Sequence, residues 1–158
     1  MAKIQTILHP TDFSEPAEYA FKLACSLARD HGAQLLTLHV IPPPLTHGEA
    51  LARAAPDSYR HQLWRELQRI APPDAVVKVD RLLEEGHPAR VIVQTASEKG
   101  CDLIVMGTHG RTGLRRLLMG SVAEQVLRKA ACSVLTVKTP LREGAPASGE
   151  QVSEKVQA

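Results

Sequence analysis

The sequence predicts a doubly wound α/β domain: a five-stranded parallel sheet, order 3-2-1-4-5, with helices on both faces. Three observations predict it. Short apolar runs rich in leucine, isoleucine and valine alternate strictly with segments whose apolar residues recur at helical spacing, the pattern of βαβ units. The runs at 3–9 and 102–107 carry continuous apolar stretches and belong at the centre, whereas 75–86 places Lys78 and Asp80 in polar alternation and belongs at an edge. Right-handed crossovers leave few orders that satisfy both conditions.

Each element follows in turn. KIQTILH (3–9) is a strand closed by Pro10. Ser14 and Glu15 precede Pro16, which suits a first helical turn, and Ala17, Ala20, Phe21, Ala24, Leu27 and Ala28 continue with helical spacing to a stop at Gly32. AQLLTLHVI (33–41) is the second strand, and the proline- and alanine-rich 42–56 is expected to loop over the surface. Tyr59, Leu63, Leu67 and Ile70 mark a second helix closed by Pro72 and Pro73. AVVKVDRLLEEG (75–86) is the third strand, and Pro88 opens a third helix that ends at Gly100. DLIVMG (102–107), Ser121–Ala131 and CSVLTVK (132–138) are the fourth strand, fourth helix and fifth strand. From Thr139 the chain is polar and aperiodic, so the domain is expected to span 1–138 and the tail 139–158 to be disordered.

Composition narrows the function. The chain has 158 residues, 44% hydrophobic and 23% charged, which suits one soluble domain. A net charge of +2 with signs interspersed, and only 3% aromatic residues, argue against a nucleic-acid partner. No apolar stretch is long enough to span a bilayer, and MAKIQTILHPTD lacks a signal-peptide pattern, so a cytoplasmic protein without membrane contact is expected. Cys25, Cys101 and Cys132 are odd in number and widely spaced, which reads as reduced, mostly buried thiols rather than a disulfide framework or zinc site.

Winding reverses between strands one and four, and ligands of such sheets bind beyond the strands' carboxyl ends at that point. The segments meeting there are 9–15 and 107–110. The connection from Gly107 to Gly120 is longer than an ordinary strand-to-helix loop. Gly107 lets a ligand approach the backbone, Gly110 permits a positive φ and an inward-facing N–H nest, and Gly120 opens the way to the next helix. Ser121 and Glu124 match a capping box. The helix they start offers free N–H groups and a positive dipole end to a phosphate, aided by the Ser121 hydroxyl. A capped helix after a flexible loop is the equally weighted bland alternative. Neither GxxxxGK[ST] nor GxGxxG is present, so this is not either common phosphate loop.

Arg111 can neutralise phosphate, whereas Arg115 and Arg116 read better as a solvated face. Asp12 at the end of strand one can accept a hydrogen bond from an adenine amino group or ribose hydroxyl, and reads equally well as a turn aspartate. His9, His39 and His109 lie near the crevice and read as structural groups or ligand walls. No histidine pair has metal-ligand spacing, so no metal site is expected.

GTHG, nine residues, then GS, preceded by LIVM and followed by SVAEQVLRKAACSVLTVK, resembles the signature of the universal stress protein family. The resemblance covers about residues 1–138. It implies a Rossmann-like fold akin to the adenine nucleotide alpha hydrolases, and the ATP-binding branch of the family. By resemblance, Pro10, Thr11 and Asp12 line the adenine and ribose side and Val40 touches the adenine. Met106 and Gly107 form the floor, while His109, Gly110 and Arg111 border sugar and phosphates. Gly120, Ser121 and Val122 bind phosphate, with Mg²⁺ carried on ATP. The family also implies a homodimer through strand 133–138, which fits an apolar, proline-free edge that needs cover.

The resulting expectation is a dimeric, ATP-binding regulatory or nucleotide-sensing protein of the stress response that acts through an unidentified protein partner. The site shows no evident nucleophile–base pair, so no catalytic residue is assigned and hydrolysis, if present, is slow. The alternatives are an ATPase or nucleotidyl transferase dependent on Asp12, and a nucleotide-free interaction or chaperone-like module. A phospho-acceptor domain using Asp12 ranks last, because only one acidic residue ends strand one.

Overall fold

The computed structural model describes residues 3–44, 55–109 and 119–140. Among them the chain runs β1 (Thr6–Pro10), α1 (Glu15–His31), β2 (Gln34–Ile41), α2 (Asp57–Arg69), β3 (Val79–Glu85), α3 (Pro88–Glu98), β4 (Leu103–Gly107), α4 (Ser121–Lys129) and β5 (Ser133–Val137). All neighbouring strands are parallel and the order is β3-β2-β1-β4-β5, as the patterning predicts.

Several element ends differ from expectation, among them the start of β1, at Thr6 rather than Lys3. The third strand begins at Val79, because Asp74 turns the chain first: its carboxylate accepts the Val76 N–H and its carbonyl the Val77 N–H. The fourth helix ends at Lys129, because Ala130 is already extended at φ −65°, ψ 139°. Most of the tail, 141–158, lies outside the described residues.

α1 begins where Ser14 accepts the Ala17 N–H, carries Pro16 in its first turn, and stops at Gly32, left-handed at φ 62°. Its small apolar stripe (Ala20, Phe21, Ala24, Ala28) packs on Ile7, Leu35 and Val105. On the other face Leu8, Leu36, Leu38 and Ile104 meet Ala89, Ile92 and Ala96 of α3 and Val126 of α4. Each buried leucine or isoleucine contributes roughly 1.5–3 kcal/mol, so both faces hold the helices strongly.

Polar ties complete the frame. Asp102 accepts the N–H groups of Gln5 (2.8 Å) and Thr6 (3.0 Å), which joins the starts of β1 and β4 and holds its carboxyl below the ordinary value. Arg81 of edge strand β3 donates from Nε to the Leu67 carbonyl (3.0 Å) and from Nη2 to the Ile70 carbonyl (2.6 Å). It thereby ties β3 to the last carbonyls of α2, of which that of Leu67 also accepts the Ile70 N–H.

Gly86 turns β3 into α3 at φ 143°, and a Cβ there would stand 2.8 Å from Val91 Cγ2. Gly86→Ala is therefore expected to cost about 1–3 kcal/mol, from backbone strain and the clash together. Urea unfolding measures it; an unchanged midpoint would refute the strain argument.

Candidate functional site

The carboxyl ends of β1 and β4 lie side by side where the winding reverses. The Thr11 N–H donates to the Leu38 carbonyl at 2.8 Å, which keeps the chain beside β2 for one residue past Pro10. Asp12 Oδ1 then accepts the Ser14 N–H at 3.0 Å and the Ser14 hydroxyl. Asp12 is thus a helix-start aspartate at the sheet rim. Between them Phe13 is left-handed at φ 62°, rare for a bulky residue. Its N–H donates to Thr11 Oγ1 at 3.1 Å, and its ring centroid lies 4.4 Å from that of His39. His39 is fixed in turn, with Nδ1–H donating to the Thr11 carbonyl at 2.8 Å.

On the β4 side, the Thr108 N–H donates to the Val137 carbonyl at 3.1 Å, and Thr108 Oγ1 lies 3.0 Å from His109 Nδ1. The Gly120 N–H donates to the Thr108 carbonyl at 2.7 Å. This bond pins the start of α4 to the end of β4. Among the described residues no side chain caps that start, which leaves the N–H groups of the first turn at the sheet's rim. Val40 and Met106, both buried, share the apolar cluster beneath α3 and α4, with Met119 and Val122 packed against it.

Ten of the twelve expected site residues therefore gather at one end of the sheet: Pro10, Thr11, Asp12, Val40, Met106, Gly107, His109, Gly120, Ser121 and Val122. Gly110 and Arg111 lie outside the described residues, as do Leu114, Arg115, Arg116, Leu117 and Leu118. An apolar floor, a rim carboxylate and an uncapped helix start suit the base, sugar and phosphates of a nucleotide.

The model of the universal stress protein family matches residues 3–138. The chain belongs to that family. It is 37% identical over 148 residues to the universal stress protein MJ0531 of Methanocaldococcus jannaschii, covering 87% of this chain and 84% of that one. The structure of universal stress protein UspA from Lactobacillus plantarum superposes with a TM-score of 0.71 at 27% identity, covering 87% of this chain and 99% of that one. A crystal structure of a universal stress protein in complex with cAMP matches with a TM-score of 0.66, over 88% of this chain and all of that one; at 22% identity the likeness establishes the fold.

Two local readings of this universal stress protein are corrected by the structure. The capping box is shifted: Gly120 is the N-cap (φ −57°, ψ 149°), Ser121 the first helical residue, and Glu124 donates its N–H to the Gly120 carbonyl at 3.0 Å. The bond from Gly120 to Thr108 sets the extended step one residue earlier than the serine. The bare side of Gly107 serves a different neighbour. A Cβ there would meet the carbonyl carbon, oxygen and Cβ of Pro16, each at 3.2 Å, so the space is taken by the first turn of α1.

Sequence reasoning missed the conformation of Phe13 and the part played by Thr108; the turn-forming Thr-Asp pair before Phe13 hinted only at the first. His9 is fully buried and its Nδ1–H donates to the Val105 carbonyl at 2.9 Å. Burial pushes its pKa down to about 4, against smaller opposing effects of that carbonyl and Asp12. It is a neutral, structural histidine. Burial likewise pushes the thiols of Cys25 and Cys101 up to about 11 and raises that of Cys132, which leaves them weak nucleophiles. Among the described residues no His, Cys, Asp and Glu cluster could hold a metal, and no helix is long and apolar enough to cross a membrane.

Proposed function

We propose that this universal stress protein binds ATP, with Mg²⁺ on its phosphates, at the β1/β4 rim and acts in the cytosol as a nucleotide-sensing homodimer of the stress response. The observation that carries the reading is the uncapped start of α4, pinned to the end of β4 by the Gly120–Thr108 bond beside Asp12. Its N–H groups and dipole favour phosphate. Val40 and Met106 supply the apolar surface an adenine ring needs, Asp12 a carboxylate for amino or hydroxyl groups, and His109 a polar wall. Gly110 and Arg111 complete the set by family resemblance. An adenine nucleotide is already known on this fold. Dimerisation through β5 is favoured by an exposed edge strand on which Leu135 is 37% accessible.

Nucleotide released from denatured protein, identified chromatographically, and titration of the emptied protein with Mg-ATP test the reading. Release near one equivalent, or saturable binding, supports it; neither would favour the nucleotide-free interaction module. Intact ATP on release argues for sensing over turnover. Ser121→Asp sharpens the test. An acidic residue in the first turn of α4 should leave stability unchanged or raise it by about 0.3–1 kcal/mol. The same charge should repel phosphate and weaken Mg-ATP binding at least about tenfold. Equal affinity in wild type and Ser121→Asp would move the phosphates elsewhere.

A further inference from the structure

Thr108, the first residue past β4, is buried and stands where three elements meet. Its N–H donates to the Val137 carbonyl at the end of β5 (3.1 Å), and its carbonyl accepts the Gly120 N–H at the start of α4 (2.7 Å). Neither bond uses the side chain. They fix the backbone, so the hydroxyl springs from a set point beside the first turn of α4. His109 follows directly and is half-buried, and its Nδ1 lies 3.0 Å from Thr108 Oγ1.

Two arrangements of hydrogens fit that contact. In one the hydroxyl donates to Nδ1, which places the ring proton of the neutral imidazole on Nε2. In the other Nδ1–H donates to the hydroxyl, which must then send its own proton elsewhere. Its other neighbour among the described residues is the Val137 carbonyl, 3.5 Å away. Bonds between a hydroxyl and an oxygen run about 2.5–3.0 Å, so that contact is long, and the same carbonyl already accepts the Thr108 N–H. The second arrangement leaves a buried hydroxyl poorly satisfied, and the first does not. The first is therefore favoured. The tautomer decides what His109 recognises: a protonated Nε2 donates and suits a phosphate oxygen, whereas a bare Nε2 accepts and suits a ribose hydroxyl.

We propose that Thr108 is a positioning residue for the nucleotide: its hydroxyl holds His109 in the Nε2–H tautomer and so commits that ring to a phosphate rather than to the ribose. The inference rests on the nucleotide reading above, in which His109 is a polar wall beside both groups. It adds which group the wall meets and which side chain sets the choice. The placement agrees, because the carbonyl of the same Thr108 pins the helix start that favours phosphate.

Two measurements on the full chain separate the inference from that reading. The first records ¹⁵N spectra of histidine-labelled protein without nucleotide, at a pH that keeps imidazoles neutral, with the His109 signals assigned by their loss in His109→Gln. Wild type should carry the ring proton on Nε2 alone, and Thr108→Val should show both tautomers. Valine lacks only the hydroxyl and keeps both backbone bonds. The second measures binding. Mg-ATP affinity should fall about fivefold in Thr108→Val, the worth of one neutral hydrogen bond, and return in Thr108→Ser. The loss should be the same with the 2′- and 3′-deoxy forms of ATP, which keep the phosphates. A wild-type ring protonated on Nδ1 overturns the proposal, as does a Thr108→Val ring that stays on Nε2 alone. So does wild-type affinity in Thr108→Val, or a loss that vanishes with either deoxynucleotide and thereby places His109 at the ribose. Wild type that binds no Mg-ATP overturns the nucleotide reading and this proposal with it, whereas the other outcomes strike this proposal alone.

Discussion

Gly107→Val is expected to destabilise the fold by about 3 kcal/mol, near the upper end of overpacking costs. Gly107 is last in β4, and its requirement is space, since it is not among the glycines with positive φ. A Cβ would come 3.2 Å from three atoms of Pro16, two of them main-chain. A flexible side chain could swing away, but Pro16 cannot: it sits in the first turn of α1, which Ser14 caps and whose alanine stripe is packed against the sheet. Alanine requires the helix to retreat by a few tenths of an ångström and should cost about 1–2 kcal/mol, while the γ-carbons of valine extend the overlap. Valine's preference for strands runs the other way but is worth less than the clash. Denaturant unfolding of the three proteins should rank them glycine, alanine, valine. Retreat of Pro16 also moves the Asp12–Ser14 turn, so Mg-ATP affinity should fall in Gly107→Ala more than its stability loss suggests. A valine variant as stable as wild type would show that the glycine is there for a ligand after all.

The fold was legible because its determinants are local and periodic. Ala17–Ala28 at helical spacing can form only one apolar stripe, and the polar alternation at Lys78 and Asp80 fits a strand with one open edge, where β3 lies. The rim was legible too, because strand ends and glycines mark where backbone is exposed. What stayed hidden depends on contacts between distant segments. The N-cap falls on Gly120 rather than Ser121 because of a bond to Thr108, a partner no spacing rule names. Gly107 reads as an opening for ligand until Pro16 is seen filling it. His9 could be placed on a strand, but alternation alone does not say which face it joins, nor that its Nε2 would meet no donor among the described residues. Phe13 offered no glycine or asparagine to announce a left-handed turn; the Thr11 hydroxyl bond and the His39 ring hold it there.

Acidification should expose the role of His9. Its pKa falls from 6.5 in the unfolded chain to about 4 in the fold, because a fully buried imidazole loses the hydration its cation needs. Between these values the unfolded state binds the proton and the folded state does not, so stability rises with pH across the window. It is fully present above 6.5, declines as pH falls, and is lost by about 3 kcal/mol once pH passes below 4. His9→Gln removes the titration while its amide can still donate to the Val105 carbonyl, though with a poorer fit beside Phe21. The variant is expected to be less stable at pH 7 but to lose about 3 kcal/mol less on transfer to pH 4, since other titrating groups are common to both proteins. Urea unfolding at the two pH values measures the difference, and the imidazole proton shifts of the folded protein locate the midpoint independently. Parallel losses in the two proteins, or a midpoint near 6.5, would mean that water reaches the ring.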